Sequence, residues 1–168
     1  MVKCWIFSSR SRGNIRRAAE RLLWGFWDKE LVVEREELEE CKSARKSKLA
    51  ENWRQFLRLY SDIQEGDIVF LQMARTGEMH AVGIVKDKHY DDQTPIWDQE
   101  LKNNKVLFPW RVSFYFMIYS EKPFARLFIK SKEYVKGYGI GEISFHEAKE
   151  LLDRLKEEYG LIVNASFK

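Results

Sequence analysis

Residues 5–27, WIFSSRSRGNIRRAAERLLWGFW, set a strand, a turn and a helix in succession. Trp5, Ile6 and Phe7 form a short apolar run, which predicts a buried first strand over residues 3–8. Ser8 to Gly13 reads as a polar turn. Ser11 or Asn14 can cap a helix running to about Leu23, with Ile15, Ala18, Ala19, Leu22 and Leu23 on one face. Gly25 is read as the breaker of that helix. Trp24, Phe26 and Trp27 surround the glycine, more aromatic surface than a helix end needs for packing. A site that stacks a flat ligand with a charged backbone accounts for all three.

Outward from this stretch, residues 31–62 are strongly charged and helical in pattern, with Leu49, Trp53, Phe56, Leu57 and Tyr60 at the 3.6-residue period. Two apolar runs, 68–73 and 79–86, flank a turn near Thr76-Gly77 and predict a hairpin. Residues 91–105 read as a polar loop interrupted by Pro95 and Trp97. An aromatic-rich strand is expected over 106–119 and a short one over 125–130, then a lysine- and glycine-bearing loop over 131–141. Ser144 caps a final helix with Phe145, Ala148, Leu151, Leu152 and Leu155 as its stripe, and Gly160 ends it. These elements predict an α+β fold: a small curved mixed β-sheet or barrel with helices packed outside. The 168 residues fit one domain, 1–168, carrying a charged helical insertion at about 31–62.

At 45% hydrophobic residues the chain can fill a core. No apolar run reaches the ~20 residues of a membrane span, and the N-terminus lacks the charge order of a signal peptide; the reading is a cytoplasmic protein with no membrane partner. Cys4 and Cys41 suit neither a disulfide framework nor a paired metal motif, and His80, His89 and His146 are scattered. No metal and no cofactor are expected. The Lys- and Glu-rich charge, 33% of residues, also suits a protein from a thermophile.

The net charge is only +3, but its placement is uneven. Arg10, Arg12, Arg16, Arg17 and Arg21 fall in twelve residues that hold a single acid, Glu20. A second basic block holds Lys42, Arg45, Lys46 and Lys48. Each block reads as a solvated helix face or as a phosphate-contacting patch. Enzyme motifs are missing: there is no Walker-type phosphate loop, no G-x-S-x-G and no H-E-x-x-H. Gly137-Tyr138-Gly139-Ile140-Gly141 has the glycines of a phosphate loop without its strand–helix setting.

Six tryptophans in 168 residues are several times an ordinary share. Trp5 and Trp53 lie on apolar faces and suit the core. Trp24, Trp27 and Trp97 lie at element ends or in loops, where they serve either as anchors or as platforms for a base. The order of features resembles the YTH domain family, readers of N6-methyladenine. Asn14, Ile15 and Trp24 match that family's opening without a gap, with the tryptophan nine residues beyond the isoleucine. "PIWDQELKNNKVLFPWRVSF" resembles its W-x-Q segment leading into an aromatic strand, with Trp97 and Gln99 in place. "GEISFHEAKELLDRL" resembles its last turn and helix, and "QEGDIVFLQM" and "HAVGIVKD" resemble the EVE domains of the PUA-like superfamily.

The resemblance implies a cage for a methylated base. Trp24 and Trp97 would be opposite walls, with Leu101, or else Leu107, as the third. Asn14 would hydrogen-bond the adenine edge, and the Gly25 carbonyl would accept the N6–H. Ser9 and Arg10 would line the pocket, although the family usually has an aromatic residue where Arg10 stands. Arg12, Arg16, Arg17, Lys130 and Lys132 would contact the nucleic-acid backbone. The implied function is non-enzymatic recognition of N6-methyladenine, flipped out of DNA in preference to RNA. By analogy with the N-terminal readers of McrB-type restriction proteins, a motor domain or nuclease subunit would be the partner. The competing readings are an RNA N6-methyladenine or 5-methylcytosine reader, a PUA-like hydrolase of modified nucleosides, and a protein-interaction module.

Overall fold

The computed structural model describes residues 1–28, 43–127, 134–135 and 137–160. Among the described residues, eight strands and four helices follow one another: β1 (Cys4–Ser9), α1 (Arg12–Arg21), β2 (Leu23–Phe26), α2 (Ser43–Asp62), β3 (Ile68–Met73), β4 (Glu78–Tyr90), α3 (Asp98–Asn103), β5 (Trp110–Tyr119), β6 (Ala125–Arg126), β7 (Tyr134–Val135), β8 (Ile140–Ile143) and α4 (Phe145–Tyr159). The sheet runs in the order β2-β5-β4-β3-β1-β8-β7, with β6 beside β4. β1 and β3 are parallel and the other pairs antiparallel, so the sheet is mixed. It curls into a half-barrel, the expected α+β architecture.

β1 explains why the sheet is covered on both faces. Successive side chains of a strand point to opposite sides. Trp5 and Phe7 join a cluster with Ile15 and Ala18 of α1 and Phe56, Leu59 and Tyr60 of α2. Cys4 and Ile6 join the opposite cluster with Ala148, Leu151 and Leu155 of α4. Fully burying one such large side chain contributes ~1.5–3 kcal/mol. Burial, then the charges of Asp67 and Glu142, push the Cys4 thiol up to about 12, so it stays protonated and acts as a small core hydrophobe.

Asp67 ties the start of β1 to the turn before β3. Its carboxylate accepts from Lys3 N at 3.0 Å, Trp5 Nε1 at 2.9 Å and Gln64 N at 2.9 Å. Asp67 is 1% exposed, and its bond to the buried Trp5 indole N–H has no water to replace it. Asp67→Ala is expected to destabilise the protein by about 1–3 kcal/mol. A urea titration would read this as a lower midpoint at unchanged slope; an unshifted midpoint would refute the role.

The structure decides between or departs from several of the sequence expectations. Helix α1 ends at Arg21, with Leu22 in the left-handed conformation as its C-cap, and Gly25 lies inside strand β2. Ser11 is the cap: its Oγ accepts from Asn14 N at 3.2 Å, which places Asn14 within the first turn. The polar loop over 91–105 contains α3, and the strand expected from residue 106 begins at Trp110. The loop expected over 131–141 contains β7 and the start of β8, which pairs with β1. Of the insertion at 31–62, residues 31–42 lie outside the described residues and the rest forms α2, with Phe56 and Tyr60 in the core. Lys130, Lys132 and Cys41 also lie outside the described residues. The last helix matches its expected cap and stop, Ser144 and Gly160, although Phe145 is exposed.

Candidate nucleic-acid interface

A cavity of about 510 Å3 opens at the C-terminal ends of the parallel pair β1 and β3. That volume lies in the range of small-ligand sites, ~300–1,000 Å3. Its lining draws on both terminal strands of the sheet order: Trp24 and Gly25 from β2, and Tyr134 from β7. Ser8 to Ser11 and Asn14 supply one side, and Ala74-Arg75 extends it. Trp97, Gln99 and Phe108 supply another, and Gly137 to Gly139 close the ring. Strands distant in sequence therefore meet at a site only because the sheet curls.

Trp24 and Trp97 border the same cavity and are otherwise packed, at 4% and 2% exposure. Trp24 lies 6.0 Å from Phe7 and 6.4 Å from Phe26, ring centre to ring centre. Its indole N–H is buried without an acceptor among the described residues, an uncompensated donor at the cavity wall. The Trp97 indole donates to the Asn14 carbonyl at 3.3 Å and meets Phe108 edge-on at 5.5 Å. Trp27 meets the same Phe108 at 4.6 Å.

Gly25 is the hub of this arrangement. A Cβ there would stand 2.6 Å from Phe108 Cβ, 2.7 Å from the Phe108 carbonyl oxygen and 2.9 Å from Trp97 Cη2. Only hydrogen fits, which is the reason for glycine inside a strand. The ladder also sets the direction of its backbone. Phe114 N donates to the Leu22 carbonyl at 3.0 Å, and residues 23–26 pair with 113–110. In an antiparallel ladder such bonds fall on alternate residues. Leu22, Trp24 and Phe26 thus bond across to β5, and the Gly25 N–H and C=O face the edge of β2 away from β5, which pairs with no strand among the described residues.

Trp97 and Phe108 are held by one buried carboxylate. Glu100, 0% exposed, accepts from Ile96 N at 2.9 Å and Trp97 N at 3.3 Å through Oε1. Its Oε2 accepts from Leu107 N at 2.7 Å and Phe108 N at 3.0 Å. The Arg111 guanidinium stands 3.6 Å from Glu100 and 3.0 Å from Asp91, and donates to the Thr94 and Phe108 carbonyls. It also lies over the Trp97 ring, 5.6 Å from the centroid. Burial alone would raise the Asp91 carboxyl, but the Gln93 and Thr94 N–H groups and Arg111 outweigh it and hold the group below its ordinary value.

The polar side is built on backbone closeness. Gly139, with φ +68°, brings its chain so near β1 that a Cβ would stand 2.5 Å from the Ser8 carbonyl oxygen. Ser8 N donates to the Gly139 carbonyl at 2.9 Å, and Ser8 Oγ accepts from Gln72 Nε2 at 2.8 Å. Burial raises the pKa of Tyr134, against the opposing effects of a hydrogen bond with Ser8 and the Arg10 charge.

The structure brings Ser9, Arg10, Asn14, Trp24, Gly25 and Trp97 to one cavity. Leu101 departs from its expected place: it is 53% exposed on α3 and does not line the cavity, because the α3 turn directs Glu100 inward instead. Phe108 borders the cavity where a third apolar wall was expected. Sequence reasoning also missed Tyr134, Tyr138 and the 137–139 turn; the run of glycines was the available signal. Arg12 lies 3.5 Å from Glu121, Arg16 pairs with the same carboxylate, and Arg17 lies 3.1 Å from Asp98. These are exposed pairs, worth ~0–1 kcal/mol each, which an incoming phosphate can displace. Arg10 and Arg75, also exposed, make no ion pair among the described residues.

No protein-family model matches the chain. Among solved structures it is similar to the Pho92 YTH domain in complex with m6A, with a TM-score of 0.52 and 15% identity, covering 90% of this chain and 82% of that one. The YTH domain of the Zygosaccharomyces rouxii MRB1 protein, in complex with N6-methyladenosine RNA, aligns over 99% of this chain and 90% of that one, at 10% identity and a TM-score of 0.42. The first of these shows that the fold is YTH-like. In sequence the chain is 42% identical over 158 residues to the uncharacterized protein MJ1369 of Methanocaldococcus jannaschii, covering 94% of this chain and 93% of that protein. The chain belongs to the family of that archaeal protein.

Proposed function

We propose that this protein is a non-enzymatic reader of N6-methyladenine in nucleic acid. The observation that carries the reading is that Trp24, Gly25 and Trp97 line one cavity together, with Asn14 on its wall. In this reading the purine lies against the indoles, stacking being worth ~1–3 kcal/mol per base. The Gly25 carbonyl, turned away from β5, accepts the remaining N6–H, and the Asn14 side chain meets the ring edge. The added methyl gains ~0.8 kcal/mol from burial. Rejection of unmodified adenine is therefore modest, about ten- to a hundredfold once shape is included. The likeness to a YTH domain in complex with m6A supports the same reading.

The finer reading is a base flipped out of duplex DNA, which costs a few kcal/mol in unpairing that phosphate contacts offset. In this reading those contacts come from Arg10, which lines the cavity, and from Arg12, Arg16 and Arg17 of the adjoining helix α1. A motor or nuclease partner, as in McrB-type restriction systems, rests on analogy between domains.

The test is a binding titration of methylated and plain DNA and RNA strands at two salt concentrations. The parent protein is expected to prefer the methylated strand about tenfold or more, with affinity falling as salt rises. Trp97→Leu, which keeps an apolar residue in place, is expected to weaken methylated-strand binding by about 1–3 kcal/mol. Circular dichroism reports whether it folds. Equal affinity for methylated and plain strands in the parent protein would refute the reading.

A further inference from the structure

We infer that the cavity selects its base by charge: it admits an electrically neutral alkylated base and rejects the cationic isomer, with Arg10 and Arg75 setting the filter. The inference rests on the base-binding reading above.

An aromatic enclosure alone would favour a cation, because ring faces are electron-rich. Trp24, Trp27, Trp97, Phe108, Tyr134 and Tyr138 would make such an enclosure attractive to a positively charged methylated ring. What surrounds them opposes this. No aspartate or glutamate lines the cavity among the described residues, and the ionised groups that do are Arg10 and Arg75. Moving a cation out of water without a counter-charge is costly, and two arginines at the mouth add repulsion.

Among the described residues, the carboxylates beside the cavity have partners of their own: Asp28, next to Trp27, accepts from Trp110 Nε1 at 3.0 Å. Glu100 faces four backbone N–H groups and Arg111. Asp91 faces Arg111 and the backbone of Gln93 and Thr94. Asp98 pairs with Arg17, and Glu121 with Arg12 and Arg16. Arg111 already takes the cation position over Trp97. Arg10 and Arg75, without an ion pair among the described residues, suit a ligand whose base is neutral and whose backbone is anionic.

N6-methyladenosine and N1-methyladenosine test this cleanly, since they hold the same heavy atoms and the second is a cation at neutral pH. Free nucleosides remove phosphate contacts from the comparison, and tryptophan fluorescence reports binding. The parent protein is expected to bind the N6-methyl form at least tenfold more tightly. In the double variant Arg10→Glu/Arg75→Glu that ratio is expected to fall at least threefold. Shape enters the ratio equally in both proteins, so the change isolates charge. An unchanged ratio, or equal binding of the two isomers by the parent, overturns the filter and leaves the base-binding reading standing. Failure of the parent to bind either nucleoside or a methylated strand overturns the base-binding reading, and this inference with it.

Discussion

Glu100→Ala should lower the stability of this protein by about 3–5 kcal/mol, the range seen when one partner of a buried ion pair is removed. The carboxylate is fully buried and accepts from four backbone N–H groups of the segments flanking α3, at 2.7 to 3.3 Å. Its loss strands those donors and leaves Arg111, 1% exposed, with Asp91 as its remaining acid. Glu100→Gln should recover part of the loss, because an amide oxygen still accepts while its NH2 faces other donors. Denaturant unfolding followed by tryptophan fluorescence measures both variants. A loss below about 1 kcal/mol for the alanine variant would mean that the segment 96–108 is held by packing alone. Since Glu100 fixes the backbone of Trp97 and Phe108, the glutamine variant should also bind a methylated strand more weakly while still folded.

Gly25→Ala should cost about 1–3 kcal/mol of stability, the usual penalty of overpacking, and reduce methylated-base affinity tenfold or more. The added carbon would meet Phe108 and Trp97 at 2.6 to 2.9 Å, and two of its three nearest atoms belong to the Phe108 backbone or Cβ. Those atoms cannot swing aside as a flexible side-chain end can, so β2 must move relative to the 96–108 segment. That motion displaces both the Gly25 carbonyl and Trp97. Gly13→Ala is the control. It lies within α1, its nearest neighbour would be Ser11 Oγ at 3.6 Å, and removing a helical glycine gains about 0.5–1 kcal/mol. If the two alanine variants behave alike, the close approach at Gly25 has no energetic weight.

Local pattern made much of the fold legible. Trp5-Ile6-Phe7 announced a strand buried on both faces, and the β3–β4 hairpin followed from two apolar runs around Thr76-Gly77. The last helix was readable down to its Ser144 cap because capping and the apolar stripe act within a few residues. Strand β2 was not readable: four residues beside a glycine carry no usable period, and its partner β5 lies some ninety residues away. Leu22 ends α1 in a left-handed conformation that leucine does not favour, so no sequence signal marked that boundary. β8 was hidden in the same way, since Gly141 and the glycines just before the strand look like a loop until β1 lies beside it.

The candidate site divides along the same line. Residue types and their order, with the resemblance they carry, singled out Asn14, Trp24, Gly25 and Trp97 before any coordinates. They did not find Phe108, Tyr134 or the 137–139 turn, and they placed Leu101 in a wall that it does not form. By itself the sequence determined the three longer helices and the strands with a clear period, because those depend on neighbours along the chain. Only the tertiary structure decided which edges of the curled sheet meet, which aromatic residues they enclose, and which cavity-lining arginines have no carboxylate partner among the described residues. Those outcomes depend on contacts between residues tens of positions apart, and no local propensity encodes them.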